Sequence, residues 1–160
     1  MTKTEENMAT AKIVYASMTG NTQEIAEIVQ EALEDRGVPT ELTEMSQAVA
    51  ADFADADICV VAAYTYSDGG PGLLPEEGED FYDDLRALDL SGKVFGTTGS
   101  GDRFYDDFAT AVDMFADAFT AAGATKGAEG VKVDLAAEAE DIDNLEIFAD
   151  QLIAAAAKLA

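Results

Sequence analysis

Histidine is absent from the 160 residues. That removes histidine metal sites, Ser-His-Asp triads and imidazole proton shuttles together. Cysteine occurs once, as Cys59 within Ile58-Cys59-Val60-Val61-Ala62-Ala63. A lone thiol in an apolar run forms no internal disulfide and reads as a buried strand residue, not a nucleophile or ligand. It fits a reducing cytoplasm. Bases are scarce: 9 Lys and Arg stand against 33 Asp and Glu, giving a net charge of −24. Such a chain repels nucleic acid and anionic lipid and attracts basic protein surfaces; the plainer alternative is that acidity serves solubility alone. No long uncharged apolar run exists, so no membrane span is expected. Residues 1–8 are polar and lack the apolar segment of a secretory signal. They are expected to form a flexible extension ahead of one domain over 9–160, with Met8 an alternative start. No Pro-rich linker or internal repeat divides the rest.

Two common phosphate motifs are also missing. There is no G-x-x-x-x-G-K-[ST], and no G-x-G-x-x-G follows the first strand. What stands there is Ile13-Val14-Tyr15-Ala16-Ser17-Met18-Thr19-Gly20-Asn21-Thr22. It opens β-favouring, turns small and hydroxyl-rich, and runs into a helical pattern with Ile25, Ala26, Ile28, Val29, Ala32 and Leu33 on one face. A strand, tight loop and helix aim free backbone N–H groups and a positive helix end at an anion. With Lys12 and Arg36 the nearest cations in sequence, hydroxyls and dipoles would do the holding. The alternative is an ordinary turn with Thr22 capping the helix.

Further along, the pattern predicts a strand over 40–45, a helical connection over 46–56 and a fully buried strand over 58–64. A loop spans 65–77. A helix then carries Phe81, Leu85 and Leu88, and a strand lies over 93–98. Gly99 to Arg103 reads as a second tight loop. The next helix has the stripe Phe108, Ala111, Val112, Phe115, Ala118, Phe119 and Ala122. A fifth strand falls within 125–135, best placed at 130–135. The last helix starts near Glu138 and turns Ile142, Leu145, Phe148, Ala149, Leu152 and Ile153 inward. Alternating strands and helices predict an α/β doubly wound, five-stranded parallel sheet with right-handed crossovers and helices on both faces. In the order 2-1-3-4-5, a ligand belongs at the carboxyl ends of strands 1, 3 and 4. All three candidate loops, 17–22, 65–72 and 99–105, fall there. Tyr64 and Tyr66 suit stacking on a flat heterocycle, or cover a sheet edge. Asp102 suits a helix cap.

Ile13, Val14, Tyr15, Ser17, Gly20, Thr22, Ala26 and Val29 meet every fixed position of the flavodoxin signature, and the chain from Met8 to Ala160 resembles that family. Strand 5 continues directly into Asp134-Leu135-Ala136-Ala137, as in the short-chain type, and the likeness is to acidic flavodoxins of Gram-positive bacteria. The resemblance implies non-covalent FMN. Its phosphate would sit in the loop Ser17, Met18, Thr19, Gly20, Asn21 and Thr22. A second loop, Tyr64, Thr65, Tyr66, Ser67, Asp68 and Gly69, would cover one ring face with Tyr66 and add a hydrogen bond from Thr65. A third, Thr98, Gly99, Ser100, Gly101 and Asp102, would meet the pyrimidine edge with backbone amides, and Tyr105 would stack on the outer face. Ser67 stands where the family usually has a glycine that lets a peptide turn its carbonyl toward flavin N5, and serine pays more for that conformation. The loop Gly70-Pro71-Gly72-Leu73-Leu74-Pro75 is about three residues longer than in short-chain relatives.

The resemblance implies a monomeric, low-potential carrier of single electrons. It would dock through its acidic rim on partners such as ferredoxin/flavodoxin–NADP reductase or a 2-oxoacid oxidoreductase. Three rivals share the fold. An FMN-dependent NAD(P)H:quinone oxidoreductase needs a nicotinamide site that Tyr105 would block. A flavodoxin-like ribonucleotide reductase activator needs that reductase. A receiver domain needs paired acids after strand 1, where Ser17 and Met18 stand. Asp141-Ile142-Asp143-Asn144 lacks the glycine and distal glutamate of a calcium loop and reads as a helix start.

Overall fold

The computed structural model describes residues 9–17, 20–65, 76–102 and 109–159, the side chains of Glu76 and Glu77 excepted. Strand β1 (Ala11–Ala16) leads into helix α1 (Asn21–Asp35), and β2 (Thr40–Glu44) follows. Two 3-10 turns, Met45–Gln47 and Ala50–Asp55, carry the chain to β3 (Ile58–Ala63). Then come α2 (Glu76–Arg86), β4 (Val94–Gly101), α3 (Thr110–Ala121), β5 (Thr125–Lys126), β6 (Val131–Asp134) and α4 (Ala139–Leu159). Every strand pair is parallel, in the order β2-β1-β3-β4-β5, with β6 also on β4. This is the predicted doubly wound sheet.

β3 is buried along its whole length because both its faces are covered. Ile58, Val60 and Ala62 join Ile13 under α1 and α4, with Ile25, Val29, Leu33, Leu145, Phe148 and Leu152. Cys59, Val61 and Ala63 join Val14 and Phe95 on the other face, with Phe53, Phe81, Leu85, Phe115 and Phe119. Alternation along one strand thus feeds two cores. Cys59 is the buried thiol expected: burial pushes its pKa up from 9.0 to about 12, and its Sγ lies 3.6 Å from the Phe53 carbonyl.

The structure departs from the sequence expectations in four places here. The predicted loop at Gly99 is strand, because β6 pairs with Thr98 through Gly101 and draws β4 out to that length. The fifth strand is split: β5 pairs at Val94 and Phe95, β6 at the other end of β4. Between them, a Cβ on Gly127 would lie 2.2 Å from Val94 Cγ1, and one on Gly130 2.8 Å from Val112 Cγ1. Backbone packs there where side chains were expected. Leu88 lies beyond the end of α2, half-buried against the second core. Ile142 is 37% exposed, since it sits in the first turn of α4, short of where that helix meets the sheet. The Asp141 carboxylate accepts from the Glu138 N–H at 2.9 Å, so this acidic stretch caps a helix. No metal-holding cluster exists among the described residues.

Among the described residues two non-glycines are left-handed, Ala109 and Leu135. Leu135 has φ of +61° and is 51% exposed, while its N–H reaches the Gly101 carbonyl at 2.8 Å. A branched side chain pays about 1 kcal/mol for this left-handed conformation. We expect Leu135→Gly to cost nothing and to stabilise by a few tenths to about 1 kcal/mol, read from the denaturation midpoint. A clear loss would show that the leucine side chain holds the β6–α4 corner.

Candidate functional site

The chain leaves β1 and β3 in neighbouring strands whose next crossovers run to opposite sides, which opens a crevice at their carboxyl ends. Ser17 follows β1, Tyr64 and Thr65 follow β3, and Asp102 follows β4. Met18, Thr19, Tyr66, Ser67, Asp68, Gly69 and Tyr105 lie outside the described residues.

At the first loop, Gly20 is the cap residue of α1, with φ of +96°. Only a glycine holds that conformation without strain. No described heavy atom comes within 4 Å of where its Cβ would stand. Its N–H donates to Ser17 Oγ at 3.0 Å, and its carbonyl takes the first helical bond from Glu24. The cap position brings no side chain, so the N–H groups of the first turn gain no partner from it. Thr22 is therefore not the cap. It is the second residue of the helix and fully buried. Its Oγ1 lies 2.6 Å from Ser100 Oγ and 3.4 Å from the Ser100 N–H. Asn21 beside it is half-buried.

At the second loop, the Tyr64 N–H donates to the Ala16 carbonyl at 3.3 Å, and the ring packs partly on the second core. The Thr65 N–H donates to the Ser100 carbonyl at 3.2 Å, and Thr65 Oγ1 accepts from the Ala111 N–H at 2.8 Å. Thr65 thus caps α3 from a distance of 46 residues. The cap residue by sequence is Ala109, left-handed with φ of +51°, so Asp102 does not hold that position. Beside it, the Thr110 hydroxyl is buried with no hydrogen-bond partner among the described residues. Sequence reasoning missed both Ala109 and Thr110, since neither carries a local signal.

At the third, Thr98 is wholly buried and its hydroxyl donates to the Val131 carbonyl at 2.7 Å. That holds β6 in place and spends the side chain on the fold. The glycines on either side of Ser100 admit close approach of protein. A Cβ on Gly99 would stand 1.8 Å from the Ala63 carbonyl oxygen, and one on Gly101 2.7 Å from the Ala109 nitrogen. Ser100 is bonded to both other loops, to Thr22 and to Thr65. Asp102, half-buried, opens the loop itself.

These pieces define a doubly wound α/β protein in which the start of α1 meets the carboxyl ends of β1, β3 and β4. The family model for flavodoxin matches residues 13–147, and the chain belongs to the flavodoxin family, whose cofactor is FMN and whose work is electron transfer. It is 35% identical to probable flavodoxin 1 of Bacillus subtilis, over 92% of each chain. It is 55% identical to the solved flavodoxin of Streptococcus pneumonia TIGR4, with a TM-score of 0.88, covering 92% of this chain and 99% of that one. A short-chain flavodoxin associated with a non-canonical PDU bacterial microcompartment is 54% identical, with a TM-score of 0.89 over 93% and 99%. The short-chain, Gram-positive resemblance holds. No described helix is long and apolar enough to cross a membrane.

Proposed function

We propose that this chain carries single electrons at low potential between redox proteins of the cytoplasm, on FMN seated across the ends of β1, β3 and β4. The supporting observation is the start of α1: a left-handed Gly20 with no described heavy atom within 4 Å of its Cβ position, a helix end its cap residue leaves uncapped, and the Ser17 and Thr22 hydroxyls nearby. That donor set fits a phosphate ester bound without a lysine. Ser17 to Thr22 would hold the phosphate, and residues 64–69 and 98–102 the ring system. Tyr66 and Tyr105 would cover its faces and exclude water.

FMN supplies reversible one-electron chemistry when bound; the protein sets how readily it takes the second electron. Helix α2 presents Glu79, Asp80, Asp83 and Asp84 to solvent, within a chain of net charge −24. One carboxylate about 10 Å from the ring, seen through water, disfavours added negative charge by about 0.4 kcal/mol. That is about 20 mV for one electron. Several together lower the second potential by on the order of 100 mV at low salt. The same acids suit transient docking on basic surfaces of a ferredoxin/flavodoxin–NADP reductase or 2-oxoacid oxidoreductase type, as a monomer.

A spectrophotometric reductive titration at about 10 mM and about 1 M salt tests this. The purified chain should take up flavin in one-to-one ratio and reduce in two resolved one-electron steps. The second potential should rise by tens of millivolts at high salt. A colourless chain that cannot take up FMN would sink the proposal. Steady-state oxidation of NAD(P)H by the pure protein would replace it with the quinone oxidoreductase reading.

A further inference from the structure

The pair Thr22–Ser100 joins the phosphate loop to β4, 78 residues away, and both side chains are buried, at 1% and 7% exposure. We propose that Ser100 is a positioning residue: it holds the Thr22 hydroxyl as an acceptor, so that the Thr22 proton is left for the phosphate of FMN. The inference rests on the FMN reading above and adds a residue that the phosphate loop does not contain.

The argument is one of valence. A hydroxyl has one proton and two acceptor lone pairs. The Ser100 N–H approaches Thr22 Oγ1 at 3.4 Å and claims one lone pair, weakly. The two hydroxyl oxygens are 2.6 Å apart, at the short end for such a bond, and either can be the donor. If Thr22 donates to Ser100, no proton remains for an anion. If Ser100 donates, both lone pairs of Thr22 are filled and its proton is free for a third partner, one that accepts. An anion at the start of α1 accepts only, so it selects the second arrangement. Ser100 O–H, Thr22 O–H and phosphate oxygen then form a chain polarised in one direction. Ser100 is itself fixed, because its carbonyl accepts from the Thr65 N–H at 3.2 Å. The consequence is preference for the phosphorylated flavin: riboflavin ends in a neutral ribityl hydroxyl, which lacks the anion's charge and does not force one direction on the Ser100–Thr22 bond.

The test measures dissociation constants of FMN and riboflavin for the full chain freed of flavin, by quenching of flavin fluorescence. Ser100→Ala should weaken FMN by about 3- to 12-fold and leave riboflavin unchanged. Ser100→Cys, close in shape but a weaker donor, should fall between. In a Thr22→Val background the Ser100 change should cost nothing more. Equal weakening of both flavins, additive effects in the cycle, or an undiminished FMN preference in Ser100→Ala would overturn the inference. If Ser100→Ala does not fold, the Cys variant in the same cycle decides. A parent chain that binds both flavins equally would remove the phosphate reading itself; a parent that prefers FMN while the variants match it removes only the role of Ser100.

Discussion

Gly99→Ala is expected to lower the melting temperature by about 6–12 °C, from a destabilisation of about 3 kcal/mol. The new Cβ would stand 1.8 Å from the Ala63 oxygen, 2.8 Å from its carbonyl carbon and 3.1 Å from its nitrogen. All three are backbone atoms, so no rotamer change relieves the contact. β3 and β4 must part at their carboxyl ends, where they are registered from Ile58 with Val94 to Ala62 with Thr98. Ala63 immediately precedes Tyr64 and Thr65, so flavin affinity should fall with stability. Thermal unfolding by circular dichroism, with and without excess FMN, reads both. A variant as stable as its parent would mean that the strands separate there at little cost.

Phe119→Ala is expected to cost about 3–5 kcal/mol. The ring is fully buried, stacks on Phe95 at 4.9 Å and 11°, and meets Phe53 edge-on at 5.4 Å. These contacts pin α3 and the second 3-10 turn to one face of the sheet, so the cavity cannot close by moving one side chain. Removing the ring forfeits its transfer energy and leaves a void among Phe53, Phe95 and the rest of that core. Urea denaturation should show a lower midpoint with an unchanged slope. A loss under about 1 kcal/mol would contradict a rigid aromatic cluster.

The fold was legible because its signals are periodic. The apolar run over 58–63 is long enough only for a strand covered twice, and the stripe from Ile25 to Leu33 only for a helix on a sheet. The glycines misled. Gly99-Ser100-Gly101 looks like a turn in sequence, yet its glycines serve strand-to-strand and strand-to-cap approach, a three-dimensional requirement with no local trace. The same holds for Gly127 and Gly130, which split the fifth strand. Thr22 misled in another way. A hydroxyl at a helix start suggests a cap, but the helix begins one residue earlier and Gly20 takes that place. Of the candidate site, strand order alone put Ser17, Thr65 and Asp102 at the ends of neighbouring strands, where the structure has them. It did not show that Thr65 caps α3 or that Ser100 bridges to Thr22, because those bonds span 46 and 78 residues. The phosphate role proposed for the first loop rests on the whole signature, not on any single residue of it.

The broken fifth strand bears on how the molecule behaves in a crowd. On that rim, Thr125–Lys126 and Val131–Asp134 present two stubs of backbone, each with a lysine, separated by a segment that turns away to pack on Val94. On the opposite rim, β2 is five residues long and shows solvent the carboxylates of Glu41 and Glu44. Neither rim gives a stranger's strand a long, flat, uncharged template. Copies of this chain can therefore be packed densely in solution without zipping together edge to edge.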